Sequence, residues 1–140
     1  MSETKYQSRE ELIDEREFNF GSVWKVDDRD VGIPQIDKLD SRNFHAERWV
    51  VVISNNSENF HPLCPVVTVA PLSHRTDLKR PFDLELFSSH DSVKVDCLLQ
   101  LKLSQPILKV DLYECQVEIS IEKKEELMVL LEDYYGLTYD

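Results

Sequence analysis

The run Arg48-Trp49-Val50-Val51-Val52-Ile53-Ser54-Asn55-Asn56 constrains this chain more than any other stretch. A strand with one wet face alternates apolar and polar residues; a run apolar at every position is covered on both faces. The run is too short for a buried helix, and its residues are mostly β-branched. It reads as the central strand of a small closed sheet, with Arg48 where the strand leaves a long loop. A second run, Val66-Val67-Thr68-Val69-Ala70-Pro71-Leu72-Ser73, follows a polar loop and should pair beside it, antiparallel.

Around these two strands the chain divides simply. Residues 1–18 are polar and charged and read as an N-terminal extension; Ser8 could cap a short helix there, docked by Leu12, Ile13 and Phe18. Residues 19–140 read as one barrel domain, a size that supports a single core. Residues 20–27 form the first strand, with Val23 and Lys25 pointing one way and Trp24 and Val26 the other. The connection from Asp27 to Glu47 is long, charged and placed to cover Arg48. Phe82-Asp83-Leu84-Glu85-Leu86 alternates as a strand, and residues 92–102 are long enough to bend and serve two sheets. Tyr113, Cys115, Val117 and Ile119 would share one face of a further strand. The period then changes. Leu127, Leu130, Leu131 and Tyr134 recur at helical spacing, with Ser120 as cap and Gly136 as stop. Short strands in series followed by a helix predict a mainly β fold with α: a small antiparallel barrel with a C-terminal helix. No internal repeat interrupts it.

Composition narrows the function classes. The net charge of −11 repels nucleic acid at long range, so any such contact needs a local cationic patch. Arg75, Lys79 and Arg80 form the one dense basic cluster, next to Ser73. His45, His61, His74 and His90 are scattered without metal-ligand spacing, so no metal or cofactor is expected. Cys64, Cys97 and Cys115 lie far apart and read as reduced, mostly buried thiols of a cytoplasmic protein. No apolar window approaches the roughly 20 residues of a membrane span.

The order of pieces resembles the PemK/MazF family of toxins. That family opens on a Gly-x-(Ile/Val)-Trp strand, here Gly21-Ser22-Val23-Trp24. An Arg-Pro-Val-x-Val strand follows a loop, here Arg48-Trp49-Val50-Val51-Val52. Val69-Ala70-Pro71-Leu72-Ser73 stands for Val-x-Pro-x-Thr, Leu99-Gln100-Leu101-Lys102 for Asp-Gln-x-(Lys/Arg), and Gly136-Leu137 for the terminal Gly-Leu. The resemblance covers residues 19–138. It implies an SH3-like barrel (PemK/MazF/CcdB-like), a homodimer, and a metal-independent endoribonuclease of single-stranded RNA restrained by an antitoxin.

In that chemistry the neighbouring 2′-hydroxyl attacks phosphorus and leaves a 2′,3′-cyclic phosphate. Arg48 matches the family's catalytic Arg; its guanidinium stays charged and forks onto phosphate oxygens. Ser73 matches the catalytic Thr and keeps the hydroxyl. Lys94 and Asp96, two apart on an expected strand, could serve as an acid–base pair, and His45 or His74 as proton carriers. Arg75, Lys79, Arg80 and Lys102 could hold the RNA backbone.

The chain also departs from the pattern. The Gly-Ser-Glu-Gln-x-Gly-x-Arg-Pro run is absent: Asn43 takes the acidic position and Trp49 that of proline. Leu99 replaces Asp, which leaves the general base unassigned. Two other readings follow. One is a catalytically inactive module of the same fold that docks a protein partner through the 27–47 loop. The other is a CcdB-type gyrase poison acting through Leu137-Thr138-Tyr139-Asp140.

Overall fold

A computed structural model describes residues 5–39 and 42–137. Residues 1–4 of the expected extension, and the Thr138-Tyr139-Asp140 tail of the CcdB-type reading, lie outside the described residues. In chain order the elements are β1 (Val23–Val26), a helical turn α1 (Pro34–Asp37), β2 (Arg48–Val52), a second turn α2 (Asn56–Asn59), β3 (Val66–Ser73), β4 (Asp83–Leu86), β5 (Cys97–Gln100), β6 (Gln105–Leu108) and the long helix α3 (Ile121–Tyr134).

The apolar run becomes β2, paired antiparallel with β1 on one edge and β3 on the other. Val50, Val51 and Val52 are all fully buried, and alternate residues enter different cores. Val51 and Ile53 pack with Ala70, Leu72, Leu99 and Leu127. Val50 and Val52 pack with Phe18, Trp24, Val69 and Ile107. Each fully buried side chain of this size contributes about 1.5–3 kcal/mol, so both faces of β2 are strongly held. The turn out of β2 is closed by Asn59, whose amide donates to the Ser54 carbonyl at 2.8 Å.

β3 is the strand the sheet bends around. One edge pairs with β2; the other takes β6 along Val66–Val69 and then β5 at Leu72 and Ser73. β4 completes the sheet beside β5, with Leu84 and Leu86 buried as the alternation predicts. The result is the expected small antiparallel barrel with a C-terminal helix. Ser120 caps α3 by accepting the Lys123 N–H at 3.3 Å, and Leu127 is fully buried. Leu130, Leu131 and Tyr134 pack at its margin. Gly136 ends it at φ +69°, a left-handed conformation that costs glycine little.

Several expectations are corrected. Residues 92–102 are not one bent strand: Ser92 at φ +57° opens a loop, and Leu101–Leu103 is a 3-10 turn. Lys94 and Asp96 therefore do not share a strand face. Residues 113–119 are not a one-faced strand either. Positive φ at Glu114 and Val117 breaks the pleat, leaving Val117 69% exposed while Ile119 is buried. The segment still covers the free edge of β1: Lys25 and Tyr113 exchange two backbone bonds of 2.9 Å. Only Cys97 of the three thiols is buried; Cys115 is exposed and Cys64 partly so.

The extension is tied to the barrel. Phe18 is fully buried, whereas Ile13 faces solvent, so the docking residue is the aromatic one. The Arg16 guanidinium donates to the Leu112 and Lys109 carbonyls at 2.8 Å each. The helical start at Ser8 is a single 3-10 turn, Arg9–Leu12, with the Ser8 N–H bonded to the Glu11 carboxylate at 3.1 Å.

Candidate active site

A cleft of about 510 Å³ opens where β2 begins and β3 ends. The sheet itself brings its two key residues together. The β2–β3 ladder ends at the Val50–Pro71 pair, and Arg48 at the start of β2 and Ser73 at the end of β3 lie just beyond it. Both side chains line the cleft. An Arg48 terminal nitrogen lies 3.4 Å from the Leu72 carbonyl, one residue from Ser73.

Of the other expected site residues, His45, His74, Arg75 and Lys94 also line this cleft. Four do not. Asp96 accepts the Ser88 N–H at 2.9 Å. Lys79 pairs with Glu85 at 3.1 Å. Arg80 is exposed beyond the rim, and Lys102 sits on the turn after β5, away from the cleft where its neighbour Gln100 is found. The expected Lys94–Asp96 pair is thus split, and the basic cluster contributes only Arg75. Even Arg75 is partly spoken for, because its guanidinium forks onto Asp77 at 3.1 and 3.0 Å. That pair is solvent-exposed and therefore weak.

The 27–47 connection forms one wall of the cleft, through Ile33, Gln35 and Ile36. Its decisive residue was not visible in the sequence. Asp28 is fully buried and accepts three donors from the chain around it. Arg48 Nε reaches its Oδ1 at 2.6 Å, an Arg42 terminal nitrogen reaches the same oxygen at 2.9 Å, and the His45 N–H reaches Oδ2 at 2.9 Å. Burial alone would push this carboxyl up. Hydrogen bonds from Arg48 and the His45 N–H, with the charges of Arg48 and Arg42, outweigh it and hold Asp28 below the usual carboxylate range. Asp28 stands among Asp27, Arg29 and Asp30, and nothing in that charged run singles it out. The available signal was register: Val26 pairs with Arg48, so the residues just past β1 must lie beside that guanidinium.

Glu47 was also passed over. It is a carboxylate lining the cleft, 3.4 Å from Lys25 Nζ and from the Tyr113 hydroxyl. Ser73 Oγ accepts the Arg75 N–H at 3.3 Å, which leaves its own proton to donate. Lys94 pairs with no carboxylate among the described residues. The cleft therefore gathers Arg48, Arg75 and Lys94, with two imidazoles, against Glu47, on a chain whose net charge is −11. Such a place attracts an anion that the rest of the surface repels. Among the described residues no group of three His, Cys, Asp or Glu side chains is placed to hold a metal ion.

No protein-family model matches the sequence, and no curated protein matches it. Solved structures do match the fold. A mycobacterial endoribonuclease in complex with its cognate antitoxin is 18% identical, with a TM-score of 0.61 over 86% of this chain and 96% of that one. Another mycobacterial endoribonuclease is 15% identical, with a TM-score of 0.63 over 89% and 97%. A chain of the MazE–MazF structure from Deinococcus radiodurans is 15% identical, with a TM-score of 0.56 over 85% of this chain and 94% of that one. The chain has the fold of the MazF/PemK toxins, as its strand order implied.

Proposed function

We propose that this chain, built on the MazF/PemK toxin fold, is an endoribonuclease that cuts single-stranded RNA by attack of the 2′-hydroxyl. The observation that carries the reading is that Arg48, at the start of β2, and Ser73, at the end of β3, line one cleft together with Arg75 and Lys94. Arg48 takes the non-bridging phosphate oxygens, whose charge grows as the pentacoordinate phosphorus forms. Ser73 donates its hydroxyl proton to the same group. Lys94 and Arg75 hold the flanking phosphates. The 2′-hydroxyl proton leaves to a base in the cleft, and the 5′-oxygen departs protonated, giving 2′,3′-cyclic phosphate and 5′-hydroxyl ends. Two kinds of proton carrier are present, the Glu47 carboxylate and the His45 and His74 imidazoles. Glu47→Gln, His45→Asn and His74→Asn separate them: the variant that loses most of the cleavage rate marks the base.

A fold of this kind is found with its cognate antitoxin in one solved neighbour. By that analogy a protein inhibitor restrains this chain, which works as a cytoplasmic homodimer.

A second reading has its own support. Arg48 Nε is committed to a buried carboxylate and Ser73 Oγ to a backbone N–H, the bonds expected of purely structural residues. In that case the cleft binds a partner without cutting RNA.

One assay separates the two. Purified protein is incubated with mixed-sequence single-stranded RNA in the presence of a chelator, and the new ends are analysed. Cyclic phosphate ends that vanish in Arg48→Ala support the nuclease. RNA left whole from acid to alkaline pH, by protein that captures a defined partner, supports the binding module.

A further inference from the structure

We propose that Asp28 is a positioning residue for Arg48, a buried carboxylate that takes the guanidinium by its Nε and turns the terminal nitrogens to the cleft. This rests on the reading of Arg48 as the phosphate-binding group. Three observations carry it.

The first is the mode of attachment. A guanidinium offers five N–H donors in a planar fork, and a carboxylate that met both terminal nitrogens would consume the fork. Asp28 meets Nε at 2.6 Å instead. One terminal nitrogen makes a 3.4 Å contact to the Leu72 carbonyl, and the other has no partner among the described residues. The phosphate-matching end of the side chain is thus presented, not spent.

The second is the rigidity of the anchor. Asp28 lies two residues past β1, in a 3-10 turn capped by Asp27, which accepts the Arg29 N–H at 2.9 Å. The turn sets the Asp28 backbone, and the bonds from Arg48, Arg42 and the His45 N–H hold its carboxylate. It has no exposed surface, so water does not compete for its bonds.

The third is what else it holds. Its second oxygen takes the His45 N–H, and its first also takes Arg42. Arg42 in turn donates to the carbonyls of Val31 at 2.9 Å and Asp28 at 3.0 Å, and to Asp37 at 2.5 Å. One side chain therefore joins the start of the 27–47 connection, its end and the guanidinium. The two ends of the connection and the Arg48 guanidinium are held by the same carboxylate.

The test uses the whole chain with ¹⁵N-labelled arginine. The Arg48 Nε–H signal is assigned by its loss in Arg48→Lys, and it is expected to exchange slowly with solvent. Rapid exchange in the parent protein overturns the proposal, whether or not any Asp28 variant folds. In Asp28→Asn, which keeps the shape and removes the charge, that signal should shift and exchange faster. Cleavage of single-stranded RNA then reads the consequence. Asp28→Asn is expected to lower kcat on the order of 100-fold, as for a misplaced catalytic group, with KM changed by less than about threefold. Adding it to Arg48→Ala should cost no further activity; additive losses would overturn the proposal. If the parent protein leaves RNA intact, the nuclease reading fails, and the Nε–H measurement still judges the role of Asp28.

Discussion

The ring of Phe18 stacks on the indole of Trp24, with centroids 4.6 Å apart and planes 26° apart. Arg16 lies over both rings, at 5.1 and 5.2 Å. The end of a polar leader is thereby built into the second core. Phe18→Ala should destabilise the protein by about 3–5 kcal/mol, the usual cost of emptying a buried phenylalanine site. Set against a total of about 5–15 kcal/mol for a domain, this moves the urea midpoint far down. A midpoint within error of the parent would mean that the leader is not part of the fold in solution.

On the nuclease reading, Arg48→Ala should reduce cleavage at least about 100-fold through loss of transition-state charge stabilisation. It should still fold, because Arg42 and the His45 N–H remain on Asp28. Ser73→Ala should lower the rate, and Ser73→Thr should restore it, since the hydroxyl and not the side-chain volume is used. Initial rates on one RNA substrate, with circular dichroism of each variant, check both. Equal loss in the alanine and threonine variants would remove the hydroxyl from the mechanism.

Two buried carboxyls govern behaviour in acid. Asp91 is fully buried and accepts the Phe87 N–H at 2.8 Å and the Ser120 N–H at 3.0 Å. Burial pushes it up, but those bonds outweigh burial and leave it below the usual range. Asp28 is held low for the like reason, with two arginines added. A carboxyl lower in the folded than the unfolded chain adds stability that is complete above its unfolded value of about 3.9. That stability is lost as pH falls through the folded value. Stability should therefore drop below about pH 4, and Asp91→Asn should flatten the drop. Urea midpoints measured across the acid range test this; an unchanged slope in the variant would exclude Asp91 as a contributor.

Cys115 and Cys97 should react in a fixed order. Burial, with the nearby charges of Asp96 and Asp91, pushes Cys97 up to about 12, so almost none of it is thiolate at neutral pH. Cys115 is exposed. A disulfide reagent added to native protein should modify Cys115 quickly and Cys97 only on unfolding. Mass spectrometry of the labelled peptides reads the order, and early labelling of Cys97 would show that reagent reaches it through the cleft it lines or by opening of β5.

Where sequence reading succeeded, the reason was burial pattern. Val50, Val51 and Val52 had to be covered twice, which made β2 central before its partners were known. Leu127, Leu130, Leu131 and Tyr134 marked the inner face of α3 for the same reason. It failed where the backbone leaves the regular regions. Nothing in the side chains of Ser92, Glu114 or Val117 announces a positive φ, and each one breaks an alternation that looked sound. Asp28 escaped for a different cause. An acid in a charged loop looks solvated until the register of β1 and β2 shows which guanidinium it must meet.

The division of β3 between three neighbours has a mechanical meaning. The β1–β2 and β4–β5 ladders each meet the rest of the sheet only at β3. Arg48 comes from one side of that hinge strand and Lys94 and Gln100 from the other, so the cleft is as well formed as the grip of β3 on both.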